Sequence, residues 1–360
     1  MTGIVATRLE VNSWRSFPAY ELDLAPRVTV LVGRNAVGKT NLVEALQLLT
    51  SGASFRKPAA SELLREGCPR GRAQLTLEGE GRLLQMGLDL ADGKRAFTRN
   101  GKRTTAAGVR GVLPSVLFCP DDLDMVKRSA SARRAALDSF GVQLNAQYAK
   151  LLSAYERTVE QRNSLLREAP QPSLLEVWDE SLASTGAQLL MHRVALLERI
   201  RGHFIEVYRA IAPHEEPDVA YVPTVGPLAS TREGIAKQFA ATLIERREDE
   251  LRRGLTLVGP HRDEIFFTID GRSARDFGSQ GQQRSIVLAW KIAEVQVTRD
   301  ILGRPPLLLL DDVMSELDAV RREAIMGFVA DEIQTVITTT NLGYFSEEVL
   351  ERAKVVHVGA

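Results

Sequence analysis

Cysteine is nearly absent: Cys68 and Cys119 are the only two in 360 residues. A disulfide framework and an all-thiolate zinc site are therefore not expected, and the cytoplasm is the expected compartment. No apolar run approaches the roughly 18–20 residues of a membrane span. The first ten residues have no basic segment leading into an apolar one, so no secretion signal is expected. Repeats, low-complexity tracts and long linkers are missing too. Neither sign of charge is in excess, with 46 acidic and 46 basic side chains. What is there is ordinary globular material, 44% apolar, at a length that suits two domains or one elaborate one.

Zero net charge alone disfavours a nucleic-acid partner. The sum hides a distribution. Residues 94–134 hold ten bases against three acids, and residues 305–360 hold four against ten. Within the first stretch, Lys94, Arg95, Arg99, Lys102 and Arg103 surround Asn100-Gly101, a hairpin-tip dipeptide. These five are the candidate phosphate contacts for DNA. A solvated turn with ordinary surface charge explains any one of them as well.

The pattern along the chain predicts an α/β domain interrupted by helices. Strand-like segments are Ile4–Val11, Val28–Val32, Ala73–Leu77, Leu83–Leu90 and Val116–Phe118, with a helix over Asn41–Leu49. Apolar residues from Leu137 to Val159 then step at helical spacing, and a second run goes from Leu182 to Ile211. A proline turn at Pro170 and Pro172 makes the two an antiparallel pair. Pro213 to Pro227 read as irregular, and Ser230 with Glu233 as a capping box for a helix to Arg253. Leu255–Val258 and Glu264–Ile269 are expected to pair as strands. A helix over Gly281–Asp300 follows, then strands at Leu307–Leu310, Val336–Thr340 and Val355–Val358. The expected division is a discontinuous head, residues 1–128 with 255–360, around an inserted helical domain, residues 129–254.

Gly33-Arg34-Asn35-Ala36-Val37-Gly38-Lys39-Thr40 fits G-x-x-x-x-G-K-[ST] between a strand and the helix opened by Asn41. Glycines let backbone N–H groups turn around a phosphate, and the helix dipole adds to them. Lys39 would neutralise β- and γ-phosphate charge, and the Thr40 hydroxyl would ligate Mg²⁺. Leu307–Leu310 followed by Asp311-Asp312 reads as a strand buried on both faces that ends in two carboxylates. Asp311 would hold Mg²⁺, directly or through water, and Asp312 would orient or deprotonate the attacking water. The competing reading has the two acids cap the next helix near Glu316. Ser279-Gln280-Gly281 opens another helix, whose N-terminus could offer N–H groups and a hydroxyl to an anion of a neighbouring chain. A glycine-rich loop with a serine cap explains it equally. His192 and His203, eleven apart, lack a third ligand, so no metal site is expected there. Trp178 and Trp290 are expected in the core.

Together these motifs resemble the ATP-binding-cassette ATPase heads and, within them, the RecF family of bacterial DNA-repair proteins. Ser279-Gln280-Gly281-Gln282-Gln283 looks like the family's version of the cassette signature. Asp311-Asp312-Val313 with Ser315-Glu316-Leu317-Asp318 is similar to its Walker B and D-loop run. Lys39-Thr40-Asn41-Leu42 with Glu44-Ala45 matches its P-loop helix. Asn12, Trp14 and Arg15 fall where the family has an N-F-R-like motif beside the nucleotide. Gly259-Pro260-His261-Arg262-Asp263 matches a further stretch whose role does not follow from the residues. Ala36 departs from the family, which has glycine there. Thr338-Thr339-Thr340 stands where transporters carry a switch histidine, and Asp121 or Asp122 stands near the place of the lid glutamine. The insertion is compact: Lys39 and Ser279 are 240 residues apart.

The resemblance implies an ATP- and Mg²⁺-dependent homodimer that clamps DNA at single-strand gaps and duplex junctions. ATP is sandwiched head to tail, with Ser279, Gln280 and Gly281 acting in trans. Slow, DNA-stimulated hydrolysis opens the clamp. RecR and RecO are the implied partners, RecA loading and the SOS response the implied context, and no membrane is involved. A transporter ATPase subunit, or a structural DNA-binding module with ATP as a conformational ligand, remain the alternatives.

Overall fold

The computed structural model describes residues 3–79, 81–168, 172–329 and 333–359. Its strands are β1 (Val5–Trp14), β2 (Phe17–Asp23), β3 (Val28–Val32), β4 (Arg70–Gly79), β5 (Arg82–Ala91), β6 (Lys94–Arg99), β7 (Lys102–Thr104), β8 (Ser115–Phe118), β9 (Pro217–Val222), β10 (Glu264–Ile269), β11 (Arg272–Ser273), β12 (Leu307–Asp311), β13 (Thr335–Thr339) and β14 (Lys354–His357). Its helices are α1 (Lys39–Ser51), α2 (Ala106–Val109), α3 (Ala130–Leu144), α4 (Ala146–Arg167), α5 (Pro172–Ile211), α6 (Arg232–Arg253), α7 (Ala274–Phe277), α8 (Gln280–Leu302), α9 (Ala319–Val329) and α10 (Glu347–Arg352). They form two compact units, residues 1–123 with 287–360, and residues 124–286.

The first unit holds two sheets. Five parallel strands run in the order β14-β3-β13-β12-β8. β3, β12 and β13 are buried along their whole length, as inner strands of a parallel sheet covered on both faces are. Six antiparallel strands, β2-β1-β4-β5-β6-β7, make the second sheet. One buried cluster, including Leu42, Leu46 and Leu49 of α1, Leu75, Leu88, Leu309 and Val336, unites α1 with both sheets. Two-residue turns close the β5–β6 and β6–β7 hairpins. Asp92-Gly93 and Asn100-Gly101 both have positive φ, the type I′ geometry that suits strand twist.

The second unit packs α4, α5 and α6 around Tyr155, Leu182, Leu189, Phe239 and Leu243. α4 and α5 are antiparallel, since Arg162 meets Asp179, Tyr155 meets Gly186 and Tyr148 meets His192 in mirrored order. The turn expected at Pro170 lies outside the described residues.

Six expectations need correction. The run from Leu137 to Val159 is two helices, because the Asn145 side chain accepts from the N–H groups of Gln147 and Tyr148 and starts α4 afresh. The cap of α6 is Thr231, bonded to the N–H of Gly234, and not Ser230. Leu255–Val258 is no strand. Side chains take its N–H groups: Asn163 that of Thr256 and Glu250 that of Leu257. The partner of Glu264–Ile269 is β9, inside the proline-rich stretch read as irregular. Residues 255–286 accordingly pack with the helical unit, outside the head segment expected from the sequence. Trp290 is buried, but Trp178 is half-buried.

Candidate active site

β3 ends at Val32 and the chain turns through residues 33–38 into α1. Glycine is required at both ends of this turn. A Cβ on Gly33 would lie 2.5 Å from the Val358 carbonyl oxygen. Gly38 has φ of 106°, and its Cβ would lie 2.7 Å from the Phe17 ring. No described residue takes the N–H groups of Arg34, Asn35, Ala36, Val37 or Gly38, so the loop keeps a set of free donors at a helix N-terminus. Ala36 adopts φ of 63°, a strained conformation for a residue with a Cβ.

Lys39 is buried, and its ammonium donates to the carbonyls of Gly33 and Arg34 at 2.7 and 2.9 Å. The charge is thus held at the loop by neutral acceptors. Thr40 Oγ1 donates to Asp311 Oδ1 at 3.0 Å across 271 residues of sequence. Strand register makes this meeting possible: Asp311 pairs with Thr338, and Thr338 with Leu31. Thr338 Oγ1 donates to Asp311 Oδ1 at 2.7 Å and accepts from the Asp312 N–H at 2.9 Å. It thereby orients the Asp311 carboxylate and pins the Asp312 backbone. Burial raises the Asp311 pKa, opposed by the hydroxyls of Thr338 and Thr40. Burial also raises the pKa of Asp312, opposed by Lys39. Asp312 itself sits at φ of 54°, turned out of the strand.

Among described residues, nothing donates to Asp311 Oδ2. That oxygen, with the Thr40 hydroxyl, is the hard-oxygen donor set that a magnesium ion takes in such sites, so the residues fit the ion.

The β1–β2 turn braces the loop. Trp14 Nε1 donates to the Asn41 carbonyl at 2.9 Å. The Arg15 guanidinium makes two bonds to Glu44, at 3.0 and 2.9 Å, and this fully buried carboxylate also receives Ser54 and lies 3.6 Å from Arg56. Arg15 is therefore paired inside the unit, and Asn12 is exposed on β1.

Ser279, Gln280 and Gly281 belong to the second unit. Ser279 Oγ accepts from the Gln282 N–H at 3.2 Å, and Gln282 Oε1 accepts from the Ser279 N–H at 2.8 Å, a reciprocal cap that opens α8. Ser279 is exposed. The second unit also holds Gly259–Asp263. Asp263 is fully buried and accepts from Tyr221 Oη at 2.9 Å and from the N–H and hydroxyl of Thr224, both at 2.7 Å. His261 joins Tyr155 Oη (2.8 Å) to the Thr256 carbonyl (3.1 Å), and Arg193 donates to the Pro260 carbonyl at 2.5 Å. This motif is a largely self-satisfied polar network tying α4, α5 and β9 to the loop.

The five basic candidates do not share one face. Register puts Arg95, Arg99 and Lys102 on the side of Leu88 and Met86, and Lys94 and Arg103 on the other. Arg95 is spent on the Pro58 carbonyl. Asp122 accepts from the Cys119 N–H at 2.9 Å and lies 3.6 Å from Lys291. His192 lies edge-on to Tyr148, and His203 lies 3.9 Å from Glu206. Sequence reasoning assigned no site role to Thr338, Arg56 or Ser54. For Thr338 the available signals were its place at the C-terminal end of a buried strand and its position where transporters carry a switch histidine.

Comparison with known proteins places this geometry. The model of the RecF/RecN/SMC N-terminal domain matches residues 5–358. A DNA replication and repair protein RecF of Cyanothece sp. is 37% identical over 358 residues, covering 97% of this chain and 95% of that protein. One from Heliobacterium modesticaldum is 36% identical, with 98% and 96% covered. The solved structure of a recombination mediator protein RecF with ATP, in the RecFOR pathway, superposes with a TM-score of 0.88 at 29% identity, covering 96% of this chain and 94% of that one. An Smc head domain of Pyrococcus furiosus shares the fold, with a TM-score of 0.56 at 15% identity over 94% and 90% of the two chains. The chain belongs to the RecF family, within the wider RecF/RecN/SMC group.

Proposed function

We propose that this protein is an ATP-dependent, DNA-binding clamp of recombinational repair, a homodimer when ATP is bound. The observation that carries the reading is the convergence of Lys39, Thr40, Asp311 and Thr338 where β3, β12 and β13 end beside a loop with free N–H groups. Those N–H groups bind the phosphates, and Lys39 leaves its carbonyl partners for phosphate oxygens. Thr40 and Asp311 would hold Mg²⁺, which supplies neutralisation of phosphate charge during transfer. Asp312 orients the attacking water and accepts its proton. Its carboxylate is shorter than glutamate, which suits slow turnover. Ser279, Gln280 and Gly281 close the site from a second copy, so loss of the γ-phosphate removes contacts across the interface. From the family resemblance, RecR and RecO are the partners, and gapped or junction DNA is the substrate.

Sedimentation with ATP, Mg²⁺ and DNA tests this. The expected result is a dimer with ATP and a monomer without it. Ser279→Arg should bind ATP yet neither dimerise nor hydrolyse, and Asp312→Asn should dimerise while hydrolysis falls. A monomer under all conditions, or normal turnover by Ser279→Arg, sinks the reading.

A further inference from the structure

The first unit has a second basic concavity, lined by none of the phosphate-loop residues. A cavity of about 340 Å³ is bounded by Arg82, Arg99, Arg110 and Arg304, with Leu84 and Val112 among the apolar walls. Strand register explains the first two. Arg99 lies opposite Met86, and Arg82 and Leu84 precede Met86 at two-residue steps along β5, so all share one face of the sheet. The other two arginines come from loops. Arg110 Nε donates to the Ser51 carbonyl at 3.0 Å, and Arg304 Nη2 to the Gly111 carbonyl at 2.7 Å. Carbonyls hold a guanidinium in place without cancelling its charge.

No carboxylate residue lines the cavity, and among the described residues none of the four guanidiniums has an acidic partner. Burial lowers the Arg110 pKa, as expected for a guanidinium drawn partly out of water with no anion beside it. Four like charges around one space repel, and a bound polyanion removes that cost. Planar guanidinium forks match phosphate oxygens in pairs. We propose that this cavity binds phosphate groups, either consecutive phosphodiesters of a nucleic-acid backbone or a free polyphosphate such as pyrophosphate. The inference does not rest on the clamp reading.

Hydrogen exchange on the full chain, with and without inorganic pyrophosphate, tests it. A non-hydrolysable ATP analogue is present throughout to fill the phosphate loop, whose occupancy is read separately over residues 33–40. Pyrophosphate should slow exchange over residues 82–86 and 106–112. The variant Arg82→Gln with Arg304→Gln should weaken that effect by roughly tenfold or more, from the loss of two charge-assisted contacts. Arg82→Lys with Arg304→Lys should retain part of it. A short duplex that displaces pyrophosphate identifies the backbone as the source, and one that does not identifies the free anion. No protection in these segments, or protection unchanged in the glutamine variant, overturns the proposal. Equal protection by sulfate at the same ionic strength marks an adventitious ion only and overturns it too.

Discussion

The loops at residues 33–40 and 259–263 are built from similar materials and differ in what their polar groups meet. Each contains glycines placed where a Cβ would collide, Gly38 against Phe17 and Gly259 against Phe239. Each is surrounded by hydroxyls and charged side chains. In the first, among the described residues, the backbone N–H groups have no acceptor and one oxygen of Asp311 is left over. In the second, Thr224 and Tyr221 take both oxygens of Asp263, and both His261 nitrogens are engaged. A polar cluster that satisfies itself holds a fold together, and one that leaves groups over is built for a ligand.

This contrast can be broken by experiment. Asp263→Ala should cost most, about 3–5 kcal/mol of stability, because it removes three hydrogen bonds to a fully buried carboxylate that ties Tyr221 and Thr224 to the motif. Urea unfolding measures it, and a loss near zero would remove the keystone role. Lys39→Ala should do the reverse. It should weaken ATP binding by roughly 100- to 1000-fold, from about 3–4 kcal/mol of lost charge-assisted bonds, with the unfolding midpoint little changed. Calorimetric titration reads it, and retained affinity contradicts the assignment.

His261 gives the next effect. Burial pulls its pKa down to about 4, with Arg262, Arg134 and Arg193 adding to the shift. The Thr256 carbonyl fixes the proton on Nε2, so Nδ1 accepts from Tyr155 Oη. The folded protein therefore holds the neutral ring. Its contribution is complete above the unfolded pKa near 6.5 and is lost as pH falls towards 4, by up to about 3 kcal/mol. Unfolding at pH 7.5 and 4.5 should show this difference in the parent protein beyond that in His261→Gln. Equal slopes would refute it. The smallest effect is Ala36→Gly, which relieves the positive φ and should stabilise by about 0.5–1 kcal/mol in thermal melts. A loss there would mean that the alanine is not strained.

What was legible in the sequence was what lies close along it. β3, its turn and α1 follow one another, so the strand, the glycines and Lys39 announced the loop without tertiary information. The continuous apolar run of β12 announced a buried strand in the same way. Thr338 was not legible as a site residue, because its role exists only through the pairing of β12 with β13. β9 was hidden by Pro217, a residue that an edge strand tolerates and a central one does not. Leu255–Val258 has the residues of a strand, but Asn163 and Glu250 supply partners that a neighbouring strand would otherwise give. The helical period ran straight through Asn145, since a cap interrupts the backbone ladder without disturbing the apolar stripe.

The last strand of the antiparallel sheet, β7, is only three residues long and begins with two exposed cations, Lys102 and Arg103. A short, charged border is a poor template for a further strand from another molecule. Those two side chains disfavour strand addition at this edge of the sheet, whose opposite edge is β2. Replacing both with valine would expose the hairpin as a site for aggregation.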